Sequence, residues 1–270
     1  MDYLIHIDQQ WLLAINRWHA EWADVLMWYV SKSTTWLPLY ALLVGFVVYR
    51  FGIRTPSDSP YKGGEKVKIP STIGTNTPPP FAGSLKNLRF MGCSCRKGRG
   101  GSWRIRLLRV LIALAGFAVA VGLSDFISSG IIKPWVCRLR PTHEPALAGM
   151  LHIVNGYTGG MYGFVSSHAA NTVACALLFS LLYRNKYATV ALMLWVALNC
   201  YSRMYLGVHY PGDIIGGLLV GTLIAGMTYA VARHLLKRLD ARHVLNGRSA
   251  CSEASCKQSA DDVGSPTVDS

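Results

Sequence analysis

Three short stretches hold the residues on which phosphate chemistry can be built: Lys133 with Arg140-Pro141 seven and eight positions on, Ser166-Ser167-His168, and Ser202-Arg203 followed by His209 and Asp213. Ammonium and guanidinium groups grip phosphoryl oxygens, and two imidazoles can supply a nucleophile or base and an acid near neutral pH. In His209-Tyr210-Pro211-Gly212-Asp213 the carboxylate follows the histidine by four residues. That spacing lets it accept from one ring nitrogen and leave the other free to attack. The serines before His168 suit the first turn of a helix, where amide donors and the helix dipole favour an anion. Each group has an ordinary alternative, since a histidine at a helix end is often structural and a base at the end of a membrane span often snorkels. The combination of two histidines with matched cations is what points to phosphate esters.

These stretches must be positioned by helices in a bilayer. Of 270 residues, 51% are hydrophobic and only 15% charged, too apolar for an ordinary soluble domain and unlike a chain disordered throughout. Five apolar runs of roughly spanning length are expected near 36–49, 107–132, 164–183, 187–201 and 213–232. The first 30 residues set Leu4, Trp11, Leu12, Trp18, Trp22 and Leu26 among charged groups, as an amphipathic helix at the membrane interface does. They lack the basic n-region of a cleavable signal peptide. The expected fold is all-α, a polytopic membrane helix bundle of about five transmembrane helices plus an N-terminal interfacial helix. It divides into an interfacial helix with first span at 1–50, a basic Pro/Gly-rich insertion at 51–106, the core at 107–235, and a basic, then disordered, tail at 236–270.

Charge sets the orientation. The insertion carries 11 Lys and Arg against Asp58 and Glu65, a net of +9. The positive-inside rule puts it in the cytoplasm, together with Arg184, Lys186 and the bases after 232. Segments 133–163 and 202–212 then fall on the extracytoplasmic face, where Lys133, Arg138, Arg140 and Arg203 are out of keeping with the rule and call for an anionic partner. Without a nucleic-acid motif, the basic tract beside a hydrophobic run is a juxtamembrane segment rather than a nucleic-acid site. The seven cysteines are odd in number and lack the spacing of a disulfide framework, and the pairs Cys93–Cys95 and Cys251–Cys256 lack the second halves that zinc needs. His143, Glu144 and His152 fit no metal-ligand pattern. Asp125, within the second span, can pair with Lys133 or Arg140. Gly156, Gly159, Gly160 and Gly163 around Tyr157 and Tyr162 form either a lid or a turn-rich loop.

The order and spacing of the three stretches resemble the signature motifs of the type 2 phosphatidic acid phosphatase family, membrane lipid phosphatases that share an active-site design with vanadium haloperoxidases. The first motif (lysine, six residues, Arg-Pro) is met by KPWVCRLRP and the third by SRMYLGVHYPGD. The second departs: Val165-Ser166-Ser167-His168 stands where the family has Pro-Ser-Gly-His, so Ser167 replaces a glycine.

The resemblance implies a metal-independent lipid phosphatase with no cofactor. His209 is then the nucleophile, Asp213 orients it, and His168 protonates the leaving group. Lys133, Arg140, Ser166, Ser167 and Arg203 bind the phosphate, and a covalent phosphohistidine falls to water. The expected partners are the bilayer and a lipid substrate, and the expected place is the inner membrane with the site facing outward. By resemblance to bacterial members the candidate substrates are undecaprenyl diphosphate, lipid A phosphates, phosphatidylglycerol phosphate and phosphatidate, with isoprenoid diphosphate or lipid A preferred. Two other classes remain open: a vanadate-dependent haloperoxidase and a non-catalytic anionic-lipid binder or transporter.

Overall fold

The computed structural model describes residues 2–53 and 103–263, whose regular structure is helical apart from one isolated bridge between Leu139 and Tyr162. In order come α1 (Asp2–Asn16), α2 (Glu21–Ser31), α3 (Leu37–Val48), α4 (Trp103–Asp125), α5 (Lys133–Val136), α6 (Ser167–Tyr183), α7 (Lys186–Tyr205) and α8 (Pro211–Val263). A 3-10 turn at Ser33–Trp36 leads into α3 and a π turn at Tyr49–Ile53 follows it, while a second π turn at Phe126–Ile132 joins α4 to α5. Most of the 51–106 insertion, with Cys93 and Cys95, lies outside the described residues, as do 264–270.

The bundle is organised around α6, which packs on α4, α7 and α8. Its small side chains explain that place, since Ala169, Ala170, Ala174 and Ala176 are fully or almost fully buried and let neighbouring backbones come close. The facing stripe of α8 is equally small: Gly217, Gly221, Ala225, Thr228 and Ala232 recur at intervals of three and four. A Cβ at Gly217 or Gly221 would collide with the backbone oxygens of Ser166 and Ala170, so the α6–α8 contact requires glycine at both. On the opposite face of α8, Ile215, Leu219, Leu223, Met227 and Val231 are exposed at every fourth residue, which suits a helix with lipid on one side and helices on the other.

Among the described residues three stretches are long and apolar enough to cross a membrane: Ser33–Ile53, Trp103–Val136 and Pro211–Arg242. Between them α6 is a shorter apolar helix and α7 runs for 20 residues. The ends of α4 and α7 and the starts of α6 and α8 gather at one end, which carries the three motifs. At the other end Arg109 of α4 pairs with Asp240 of α8 at 2.6 Å.

Two expectations differ from what the chain does. The N-terminal segment forms two helices instead of one, broken at 17–20, where buried Asn16 turns its side chain away from α1 to bond the backbone of His152 and Tyr205. The 236–270 tail, expected to be basic and then disordered, continues α8 as helix as far as Val263. Ala, Leu, Lys and Arg favour helix there and no proline intervenes before Pro266.

Candidate active site

Each functional side chain is set by the way its element starts or stops. The π turn at Phe126–Ile132 shifts the helical register just before Lys133, and α5 stops at Cys137, which takes the left-handed conformation. The chain then runs extended through Arg138-Leu139-Arg140. Arg140 donates its backbone N–H to Met161 at 2.9 Å and Gly163 donates to the Arg138 carbonyl at 2.9 Å. Extended backbone alternates its side chains, so Arg138 and Arg140 share one face.

Ser166 caps α6: its hydroxyl accepts from the Ala169 N–H at 3.5 Å, placing Ser167 and His168 in the first turn. Lys133 Nζ donates to Ser167 Oγ at 3.1 Å, joining the first motif to the second. The charges of Arg203, His209, Lys133 and Arg140 all reach His168. Arg203, in the last turn of α7 and almost fully buried, donates to the hydroxyls of Ser31 and Tyr157. The Ser202 hydroxyl donates backwards to the Asn199 carbonyl at 2.7 Å.

After α7 the turn through Leu206–Tyr210 brings His209 in ahead of Pro211, whose fixed φ suits the first position of α8. Asp213, at the third position, reaches back to accept the Tyr210 N–H at 3.1 Å, as acids at this position do. The same Oδ2 lies 3.3 Å from His209 Nδ1, and both side chains are buried. Burial, followed by the charges of Arg140, Arg203 and Lys133, pushes His209 well below the ordinary imidazole value, so it is neutral at physiological pH. Burial, with the neighbouring charge of Arg203, also lowers Arg140. Tyr157 is raised by burial but lowered further by Arg203, for a net shift downward.

The structure thus brings Lys133, Arg140, Ser167, His168, Arg203, His209 and Asp213 to one place. Ser166 is there too, fully buried and engaged in capping. Two buried nitrogens, Arg140 Nη1 and Arg203 Nε, have no hydrogen-bond partner among the described residues. Cations with free donors, beside two histidines, form a receptor for a tetrahedral oxyanion.

Asp125 accepts from Asn171 Nδ2 at 3.2 Å and makes no ion pair with Lys133 or Arg140. His152 pairs with Asp24 at 2.8 Å and stacks on His19, apart from His143. Among the described residues no group of three or more His, Cys, Asp or Glu is placed to hold a metal ion. In the glycine-rich loop, Gly159 lies against Arg140 and Gly163 against Asp213, so the loop walls the site. Three participants carry no site assignment from the sequence. Arg138 sits within the first motif, Tyr157 lies in the loop, and Asp8 of α1 is reached only through the fold.

Known proteins resemble this chain in sequence and in fold. The PAP2 superfamily model matches residues 110–236. The chain is 27% identical over 251 residues to a lipid A 4'-phosphatase of Bacteroides thetaiotaomicron, covering 93% of this chain and 88% of that protein. It is 40% identical over 121 residues to a lipid A 4'-phosphatase of Porphyromonas gingivalis, covering 45% of this chain and 51% of the relative. In fold it is similar to the transmembrane PAP2-type phosphatidylglycerolphosphate phosphatase of Bacillus subtilis, with a TM-score of 0.51 at 17% identity over 87% of this chain and 88% of that one. Motif spacing and site geometry thus accompany a match of residues 110–236 to the PAP2 superfamily, and the chain has the multi-pass helical fold of a PAP2-type membrane phosphatase.

Proposed function

We propose that the protein removes a phosphate monoester from a lipid of the lipid A type, through a phosphohistidine on His209. The observation that carries this reading is the pair of unpartnered buried donors, Arg140 Nη1 and Arg203 Nε, beside a buried neutral imidazole. The relatives named above, one of them similar along nearly the whole chain, favour lipid A over an isoprenoid diphosphate.

In the first step His209 Nε2 attacks phosphorus while Asp213 accepts the Nδ1 proton in a hydrogen bond. The P–O bond to the lipid breaks, and His168 gives its proton to the departing oxygen. In the second, water attacks the phosphohistidine with His168 taking its proton, releasing phosphate and restoring His209. Lys133, Arg140 and Arg203 neutralise the charge that gathers on the equatorial oxygens. The site sits beside apolar helices, so the acyl chains stay in lipid while the headgroup enters.

The same reading takes five crossings, with α6 and α7 as the third and fourth. The insertion is cytoplasmic and the site extracytoplasmic, in the inner membrane. Phosphate release from lipid A, phosphatidate and undecaprenyl diphosphate by the detergent-purified protein, with EDTA present and beside His209→Ala, tests the chemistry. Release that is greatest from lipid A and absent in the variant is the expected result. Undiminished release by His209→Ala overturns the mechanism. A reporter in the 51–106 insertion that reads extracytoplasmic overturns the orientation.

A further inference from the structure

The Asp213 carboxylate has a second side. While Oδ2 faces His209 and the Tyr210 N–H, Oδ1 accepts from Arg138 Nη1 at 3.0 Å. The other terminal nitrogen of that guanidinium, Nη2, donates to Asp8 Oδ2 at 2.6 Å, and Asp8 Oδ1 accepts the Gly212 N–H at 2.8 Å. Arg138 is also packed over the Tyr210 ring, 4.0 Å from its centroid. The chain of contacts runs Asp8, Arg138, Asp213, His209, with exposure of 13% and 22% for the first two side chains and 0% and 1% for the last two.

The Gly212 position accommodates this arrangement, because a Cβ there would lie 2.7 Å from Asp8 Oδ2. Asp8 therefore seats against the first turn of α8, one residue from Asp213. It comes from α1, outside the 110–236 region that the superfamily model matches.

An arginine bound to Asp213 alone would hold the carboxylate in place but offset the negative charge that His209 needs as its ring turns cationic on phosphorylation. A second carboxylate on the same guanidinium restores that charge, so the three groups together present one net negative charge to the imidazole. We propose that Asp8 and Arg138 are positioning residues of the phosphoryl transfer: Arg138 fixes the Asp213 carboxylate, and Asp8 neutralises Arg138 so that Asp213 keeps its full effect on His209. The proposal rests on His209 acting as the nucleophile, and it makes α1 a working part of the site.

The test is a double-mutant cycle of Asp8→Asn, Arg138→Gln and the pair, in the full-length protein, with phosphatidate and lipid A in detergent micelles and orthovanadate as a probe of the phosphate pocket. The amide oxygen that Asp8→Asn leaves in place can still accept from the Gly212 N–H, so the fold is retained, and thermal melting checks this. Asp8→Asn is expected to lower kcat on the order of ten-fold, as removal of outer hydrogen-bonded partners of a reactive group does. KM and orthovanadate inhibition should stay within about two-fold, because the cations that bind phosphate are untouched. Arg138→Gln is expected to lose more, and the double variant no more than Arg138→Gln alone, because Asp8 acts through Arg138. An unchanged kcat in Asp8→Asn, a loss confined to KM, or losses that multiply in the double variant would overturn the proposal while wild-type turnover left the phosphatase reading intact. Wild-type protein that released no phosphate would overturn both.

Discussion

Lys133 Nζ and Ser167 Oγ lie 3.1 Å apart, so the residue that replaces the family's glycine is also the one that anchors the lysine of the first motif. The hydroxyl has become part of the cation's support. A hydrogen bond from a charged donor in a half-buried setting contributes about 1–2 kcal/mol net. Ser167→Gly is therefore expected to lower kcat/KM by roughly five- to thirty-fold, because the lysine it anchors bears on phosphate charge in both the ground and the transition state. Steady-state kinetics on phosphatidate micelles checks this.

His168 stands at the start of α6 among the charges of Arg203, Lys133 and Arg140. If it protonates the leaving oxygen, His168→Ala should slow hydrolysis of an alkyl phosphate lipid by about 10²- to 10⁴-fold. It should slow the first burst of p-nitrophenol from p-nitrophenyl phosphate far less, because that leaving group needs no proton, and the comparison is made on this first step since the second also uses His168. Equal losses on the two substrates would assign His168 to phosphate binding.

The buried, neutral state of His209 sets a pH dependence for stability. Its folded-state pKa is depressed, so the unfolded chain binds the proton more readily and the protein loses stability as pH falls below the unfolded value of about 6.5. Above that value the contribution is fully present. The melting temperature in detergent is expected to drop between pH 7.5 and 5.5, and His209→Asn should flatten the drop.

Asn16 ties the N-terminal helices to the rest of the molecule, donating to the Tyr205 carbonyl at 2.7 Å and the His152 carbonyl at 3.1 Å while accepting the His152 N–H at 2.7 Å. It is 2% exposed, so truncation strands backbone groups without water. Asn16→Ala is expected to cost about 2–3 kcal/mol and lower the melting temperature by several degrees. Because Tyr205 lies two residues beyond Arg203, KM should rise as well, and thermal melting with kinetics on one preparation reads both.

The sequence makes some of this site legible and conceals the rest, for physical reasons. Lys133, Arg140, His168, Arg203, His209 and Asp213 stand at short spacings near the ends of helices, so the sequence alone singles out residues that the structure brings together. Asp8 has no such mark: on an amphipathic helix an acid reads as a solvated face, and only the docking of α1 onto α8 brings it to Arg138. Arg138 reads in the sequence as one more base beside Lys133 and Arg140, while its bond to Asp213 depends on the extended pairing with 161–163. The break at 17–20 follows Asn16 and Arg17, which interrupt the apolar run, and the tertiary bonds of Asn16 are visible only in the fold. As far as Val263 the tail is helical despite its Ser and Asp content, and no proline interrupts α8 there.

The gathering of all three motifs at one end of the bundle, away from the Arg109–Asp240 pair, has a consequence for traffic. Helices of this length place the two ends tens of ångströms apart, and no phosphorylated headgroup can reach His168 and His209 through the apolar interior between them. The enzyme can therefore work on only one leaflet. A lipid made in the other leaflet is shielded from it until a separate flipping step carries the headgroup across, so the rate of dephosphorylation in a cell would report the supply of inverted lipid as much as the turnover of the enzyme.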